Sequence, residues 1–338
     1  MLTIKEIAVL AETSVATVSR VLNNDTKVAA ETAKRVQQVI DTTGYAPKRG
    51  NKAPSRQKNI LILLPSLLNP YFFTVLQGVS NNAISNGFDP YICVTHRDYN
   101  TEKHYLNAAA SGAYAGAIAF TSTLSNEELN NYAAKHPFIQ CGANASGTHI
   151  SYVCIDDYAA SYDAVEHLIK LGNKRIAFIT GHAKRPFEVK RRQGYMSALN
   201  DHAIPYVPEY IGKCDYNYTG SYDVMTELMK LNEPPTAVFA SSDLTTLGVL
   251  KYMNHNGIIP GQDMDVIGFD GTYLSEATSP AFSTIEQPGY EMGRTAFEML
   301  SEKIKDVNYI TKRIVMAHKL VLRETTRPLP TEKNKTLN

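Results

Sequence analysis

No stretch of this chain approaches the ~20 consecutive apolar residues that a membrane-crossing helix needs. The first residues form an amphipathic pattern and not the apolar core of a secretory leader, so a cytoplasmic protein is expected. Cysteine is scarce. Cys93, Cys141, Cys154 and Cys214 stand far apart and make no C-x-x-C pair, which points to reduced, buried or half-buried thiols. The nine histidines show no H-E-x-x-H spacing, and no metal site is expected. There is no G-x-x-x-x-G-K-[ST] phosphate loop, no G-x-S-x-G elbow and no clear triad. Neither a cofactor nor an enzymatic activity is therefore expected.

What is present is ordinary in amount but uneven in place. The 338 residues are 43% hydrophobic and 20% charged, enough for a small domain plus one large or two medium ones. The net charge of +1 hides an asymmetry. Residues 1–58 hold ten basic and five acidic residues, a net of +5, and the remainder carries −4. A basic head on a mildly acidic body suits a phosphate-binding module attached to a body that does not bind phosphate.

The basic head opens with a helix signal. Thr3 and Glu6 have capping-box spacing, and Ile4, Ile7, Ala8 and Ala11 share one helical face. Ser14 is a natural N-cap for a second helix over 15–22, with Val18, Val21 and Leu22 inward. That leaves Val15, Ala16 and Arg20 outward. Small side chains let a helix sink into a groove, and an arginine can contact guanine O6 and N7 in bidentate fashion. Thr17 and Ser19 can hold phosphates. Two short helices at this spacing read as a helix-turn-helix. A plain amphipathic helix pair is the alternative. A third helix is expected over about 30–42, with Ala33, Val36, Val39 and Ile40 inward and Gly44 as its stop.

The runs T-I-K-E-I-A, S-V-A-T-V-S-R-V-L-N, V-A-A-E-T-A-K-R-V and G-Y-A-P resemble the DNA-binding domain of the LacI/GalR family of bacterial regulators. Val15, Ala16 and Arg20 resemble the base-reading triple of its galactose repressors. The DNA-facing set this implies is Thr3, Ser14, Val15, Ala16, Thr17, Ser19, Arg20, Asn23, Lys27 and Tyr45. Three local departures stand out. Glu12 occupies a turn position where the family favours Gly or Asn, Thr13 stands where it has an apolar residue, and Ala29 replaces its Ser or Thr cap. A left-handed Glu12 would carry strain.

Residues 46–59 combine two prolines, one glycine and five cations without a large apolar residue, and read as a linker. Most LacI-type relatives carry a hinge helix here, whose leucine wedges into the minor groove. This chain has no such leucine, and it shares an irregular linker with the cytidine repressor branch. That branch is also resembled in I-D-D-Y-A-A-S-Y-D-A-V, R-R-Q-G-Y and L-V-L-R-E-T-T-R-P-L-P.

From Ile60 onward, short apolar runs alternate with helical stretches. Strands are expected at 60–65, 89–95, 115–120, 138–141 and 152–156, and again at 175–180, 237–240, 265–269, 313–316 and 319–322. Helices are expected near 71–86, 102–111, 159–171, 190–202 and 290–305. Fully apolar strands belong to parallel sheets covered on both faces, and βαβ in two blocks means two doubly wound lobes. The family resemblance implies a periplasmic-binding-protein-like core crossed three times, near 157, 287 and 318. The expected division is a head at 1–45, a linker at 46–59 and an effector-binding domain at 60–330. Within that domain the N-lobe is about 60–156 with 288–317, and the C-lobe about 157–287 with 318–330. The polar tail 331–338 is expected to be disordered.

In open α/β sheets ligands sit beyond the carboxyl ends of strands. Ser66, Asn69, Tyr71, Phe72, Arg185, Phe187, Arg191, Tyr216, Asp243 and Asp270 lie on such loops. The resemblance implies that Arg191 clamps hydroxyls and that Asp243 and Asp270 anchor them. Each has a structural alternative: a salt bridge for Arg191, a helix cap for Asp270 and core packing for the aromatics. Asp156 and Asp157 read as turn or interlobe residues. The function expected is a dimeric DNA-binding regulator, a repressor, controlled by a nucleoside or sugar bound between the lobes. The other reading is a sugar-binding or sugar-processing protein with an incidental helical N-terminus.

A linker that contacts DNA mainly through charge should tolerate altered half-site spacing. Inserting one or two base pairs between operator half-sites should weaken binding by less than about tenfold in a gel shift. A sharper loss would show that the linker sets a fixed register.

Overall fold

The structure is a computed structural model. It describes residues 2–22, 28–43, 45, 58–143, 145–181, 185–306 and 308–329. The linker over 46–57, Gly44 and the tail over 331–338 lie outside the described residues. The chain separates into two compact units, Met1–Gln57 and Lys58–Asn338.

The first unit holds α1 (Ile4–Leu10), α2 (Val15–Leu22) and α3 (Ala30–Thr43). Thr3 and Glu6 complete the capping box: the Thr3 amide donates to Glu6 Oε2 at 2.6 Å, and the Glu6 amide to Thr3 Oγ1 at 3.4 Å. Ile7, Ala8, Ala11, Val18 and Val36 form the core, flanked by Ile4, Val21, Leu22, Val39, Ile40 and Tyr45. So small a core leaves polar bonds with real weight. One such bond escapes sequence reading: Arg35 Nε on α3 donates to the Ala11 carbonyl at 2.9 Å and ties α3 to the end of α1. Glu12 is left-handed, with φ 50°, so the turn between α1 and α2 does hold a residue type that the conformation disfavours.

The second unit begins with β1 (Asn59–Leu64), α4 (Pro70–Ser85), β2 (Asp89–Val94), α5 (Tyr99–Ala108), β3 (Gly116–Phe120), α6 (Asn126–Ala133), β4 (Phe138–Cys141) and β5 (Ser151–Ile155). It continues with α7 (Asp157–Lys170), β6 (Ile176–Thr180), α8 (Pro186–Asp201), β7 (Ile211–Lys213), α9 (Tyr218–Leu228), β8 (Ala237–Ala240) and α10 (Asp243–His255). It ends with β9 (Asp265–Asp270), α11 (Leu274–Ala277), β10 (Ser283–Glu286), α12 (Gly289–Lys305), β11 (Arg313–Met316) and β12 (Lys319–Val321). Among the described residues these strands form two six-stranded sheets, ordered β11-β5-β4-β3-β1-β2 and β12-β10-β9-β8-β6-β7. The apolar runs work as expected of covered strands. Ile60, Ile62 and Leu64 of β1 face one core, and Leu61 and Leu63 face the other.

Helix starts differ from the sequence pattern where a cap outranks periodicity. Asp156 caps α7 by accepting from the Tyr158 and Ala159 amides, so α7 begins at Asp157. Pro186 opens α8 four residues early, because proline suits a first helical turn. The short β7 and α9 carry no sequence signal that we read.

One correction applies to the all-parallel expectation. β12 pairs antiparallel with β10, while the other strand pairings are parallel. The reason is geometric. β11 ends at the interlobe gap, and two residues later the chain enters the other lobe from that gap. It must then run against strands whose own carboxyl ends face the gap. An antiparallel edge on a parallel sheet is a common arrangement.

Helices α4 and α12 cross at backbone contact. A Cβ on Gly78 would lie 2.0 Å from the Tyr290 carbonyl oxygen, and one on Gly293 would lie 2.0 Å from that of Val75. Gly293→Ala should therefore force the helices apart and lower stability by at least ~1–3 kcal/mol. A denaturant midpoint equal to that of the parent chain would refute this close packing.

Candidate functional site

In the first unit the outward face of α2 is built from the turn upward. Ser14 Oγ accepts the Thr17 amide at 3.1 Å and shares a 2.9 Å hydrogen bond with Thr17 Oγ1, so both hydroxyls hold the start of α2. Val18 is buried beneath. Val15, at 40% exposure, stands outward with Ala16 and Arg20. Ser19 is half-buried. Thr3 is exposed but engaged in its cap, and Tyr45 packs partly against the core. Asn23 and Lys27 lie outside the described residues.

In the second unit, strand-end loops of both lobes meet at a gap. Its lining includes Asn69, Tyr71, Phe72, Arg185, Phe187, Arg191, Tyr216 and Asp270. The same gap is lined by Gly142, and by Arg97, Thr121, Ser241, Ser242 and Gln287, which the sequence pattern did not single out. Their signal was available, since each follows the carboxyl end of β2, β3, β4, β8 or β10. The gap encloses about 470 Å³ with its mouth included.

Asp270 joins the lobes. Asn69 caps α4 by accepting the Tyr71 amide at 3.0 Å, and its Nδ2 donates across the gap to Asp270 Oδ2 at 3.0 Å. Gln287, on the segment leaving the C-lobe, donates from Nε2 to Asp270 Oδ1 at 2.8 Å. Asp270 has φ 115°, a conformation that side-chain-bearing residues rarely adopt. Two charge-assisted bonds and burial hold it there.

Arg191 is the second fixed point. Its Nε donates to Asp157 Oδ1 at 2.8 Å and its Nη1 to the Ser241 carbonyl at 2.8 Å. Its guanidinium stacks 3.5 Å from the centre of the Phe269 ring. Arg191 thus makes a buried ion pair and lines the gap at once, and Asp157 is the partner that orients it. Burial alone would lower the Arg191 pKa, but the neighbouring acidic groups, Asp157 foremost, outweigh it and raise it.

Two expected site residues stand elsewhere. Ser66 accepts the Leu68 amide at 3.0 Å in a local turn, outside the gap lining. Asp243 is fully buried. Its Oδ2 accepts the Thr272 amide at 2.6 Å and the Thr272 hydroxyl at 2.8 Å, and its Oδ1 accepts Thr284 Oγ1 at 2.7 Å. It ties the ends of β8, β9 and β10 together and so supports Asp270 from behind. The four cysteines are free thiols, Cys93 half-buried and the others buried. Among the described residues no His, Cys, Asp or Glu group is arranged to hold a metal ion. Among them, too, no helix is long and apolar enough to cross a membrane.

A helix-turn-helix joined to a two-lobed receptor with a gap between its sheets defines a ligand-responsive transcriptional regulator. Residues 3–48 match the model for bacterial regulatory proteins of the lacI family, and residues 165–326 match that for periplasmic binding protein-like domains. The chain is 32% identical to the HTH-type transcriptional repressor CytR of Escherichia coli (strain K12), over 97% of each protein. The solved structure of a transcriptional regulator CelR–cellobiose complex superposes with a TM-score of 0.73 at 26% identity, covering 96% of this chain and 100% of that one. A LacI family regulator from Enterococcus faecium with bound ribose does so with 0.72 at 27%, covering 81% and 100%. This chain belongs to the LacI family and is a DNA-binding transcriptional regulator.

The buried carboxyls make a pH prediction. Burial raises the pKa of Asp270, against the pull of Arg191, Asn69 and Gln287. Burial and then the charge of Asp270 raise that of Asp243. The folded chain thus keeps protons that the unfolded chain releases, and stability falls as pH climbs above the ordinary Asp value of 3.8 toward neutrality. Asp270→Asn should flatten this slope. Urea midpoints between about pH 5 and 7.5 will test it; an Asp270→Asn slope as steep as that of the parent chain would refute it.

Proposed function

We propose that this protein is a homodimeric repressor whose operator affinity is set by a small sugar or nucleoside bound between the lobes. The observation that carries the reading is the gap itself: aromatic rings and charged groups from both lobes converge there, and Asn69 and Asp270 bridge it directly. Rings suit the faces of a sugar or base, and an arginine with a carboxylate suits vicinal hydroxyls. The sugars named in the two related structures support this class. The division into head, linker and two-part effector domain given above is part of the same proposal, as are a cytoplasmic location and the absence of enzymatic activity.

On the DNA side, Val15, Ala16 and Arg20 read base edges while Thr17 and Ser19 meet phosphates. The wider set of Thr3, Ser14, Asn23, Lys27 and Tyr45 completes the contact surface in this reading. Two heads related by a two-fold axis match a pseudo-palindromic operator. Ligand contacts on both lobes favour closure. The switch works only if the effector binds one arrangement better, and a hundredfold preference is worth ~2.7 kcal/mol.

Arg191→Ala alone would leave Asp157 buried without its partner, so it is best combined with Asp157→Asn. The double variant should bind operator within about threefold of the parent chain in a gel shift while losing the effector response. Normal release of DNA by the double variant would overturn the assignment of the gap.

A further inference from the structure

Three guanidinium groups line the interlobe gap, those of Arg97, Arg185 and Arg191, with the carboxylate of Asp270, and the buried carboxylate of Glu188 stands 3.8 Å behind Arg185. Arg191 and Asp270 are already matched, the first by Asp157 and the second by Asn69 and Gln287. Arg97 and Arg185 have no hydrogen-bonded carboxylate among the described residues, and they come from opposite lobes.

Arg97 is held in place by unusual backbone. His96 and Arg97 are consecutive left-handed residues, with φ 52° and 59°, although neither is glycine. The turn throws the Arg97 side chain across the gap, where its guanidinium lies 5.5 Å from the centre of the Tyr216 ring in the other lobe. Its Nε is buried and has no hydrogen-bond partner among the described residues. Arg185 is the cap residue of α8, where the positive end of the helix dipole disfavours a cation. Its nearest carboxylate, Glu188, is 3.8 Å away, beyond hydrogen-bond reach. Burial first, and next the charge of Arg185, lower the Arg97 pKa against the pull of Tyr216, Glu188 and Asp215, so the two cations act on each other across the gap. Closing the lobes over a neutral ligand leaves that repulsion in place.

We infer that the effector is a ring compound bearing a phosphate ester, its phosphate seated between Arg97 and Arg185 and its ring among Phe72, Phe187 and Tyr216. This rests on reading the gap as the effector site and narrows the ligand within it. A phosphate turns the repulsion into two charge-assisted contacts, one to each lobe, and guanidinium forks fit its oxygens. The anion is then the element that couples binding to closure. A sugar phosphate and a nucleoside monophosphate share this chemistry.

The test uses the full-length chain and matched pairs: ribose with ribose 5-phosphate, glucose with glucose 6-phosphate, and cytidine with its 5′-monophosphate. Inorganic phosphate is added as a competitor. Calorimetric titration should show the phosphorylated member of at least one pair binding about 30-fold more tightly or better, with a preference that shrinks as salt rises. Arg97→Gln should remove at least about tenfold of that preference, and Arg97→Lys should retain part of it. The ligand-free melting temperature of Arg97→Gln should not fall, since a like-charge contact is relieved.

Equal or tighter binding of the neutral member in every pair overturns the inference, as does a preference that survives in Arg97→Gln or a panel without any phosphorylated binder. A neutral sugar that releases DNA through Arg191 would remove the phosphate while leaving the effector gap intact. A phosphorylated ligand that still releases DNA from the Arg191→Ala, Asp157→Asn double variant would remove the gap assignment itself.

Discussion

Asp270 carries the hydrogen bond on which the receptor depends. It accepts from Asn69 in one lobe and from Gln287 on the chain segment that leaves the other, while its own backbone sits at φ 115°. A residue in that conformation persists only where its surroundings over-determine it. Here they do so from three sides. Asp243 braces the strand ends behind it, Phe269 before it stacks on Arg191, and Asn69 couples it to the cap of α4. The position of one lobe is thus written into the first turn of a helix in the other. A ligand that competes for the Asp270 carboxylate would act on both lobes at once.

The charges around this bond follow one logic. Three buried carboxylates near the gap are supplied with donors: Asp157 with Arg191, Asp243 with two threonines, Asp270 with two amides; Glu188 is buried without a hydrogen-bond partner among the described residues, 3.8 Å from Arg185. Arg97 and Arg185 break the pattern, standing on facing lobes with weaker partners. The recognition head works by the opposite rule. Its polar groups are satisfied locally, by the Thr3–Glu6 box, the Ser14–Thr17 pair and the Arg35–Ala11 bond, which leaves α2 free to present a small-residue face.

Much of the fold was legible because local chemistry and tertiary role coincide. Apolar runs such as Ile60–Leu64 and Ile176–Ile179 read as covered strands, and each proved to face two cores. The helix-turn-helix was legible for the same reason, since its caps and its inward face lie within a few residues of each other. The gap was half legible. Strand-end position found Asn69, Arg191 and Asp270, and the same rule pursued further leads to Arg97 and Gln287. It also drew in Asp243, because a carboxylate at a strand end looks alike whether it faces a ligand or two buried threonines. β7 and α9 escaped notice, the first because three residues carry almost no pattern.

The sequence by itself determined the parts: a cationic reader, two βαβ blocks and the identities of the groups at the strand ends. These follow from capping, periodicity and charge, which act over a few residues. Tertiary structure alone decided which of those groups meet. Asn69 and Asp270 are 201 positions apart, and Arg191 and Asp157 are 34 apart. It also decided the direction of β12, through the side from which the chain re-enters the C-lobe. The division of labour among carboxylates and guanidiniums is a matter of burial and partners, and both are properties of the folded chain.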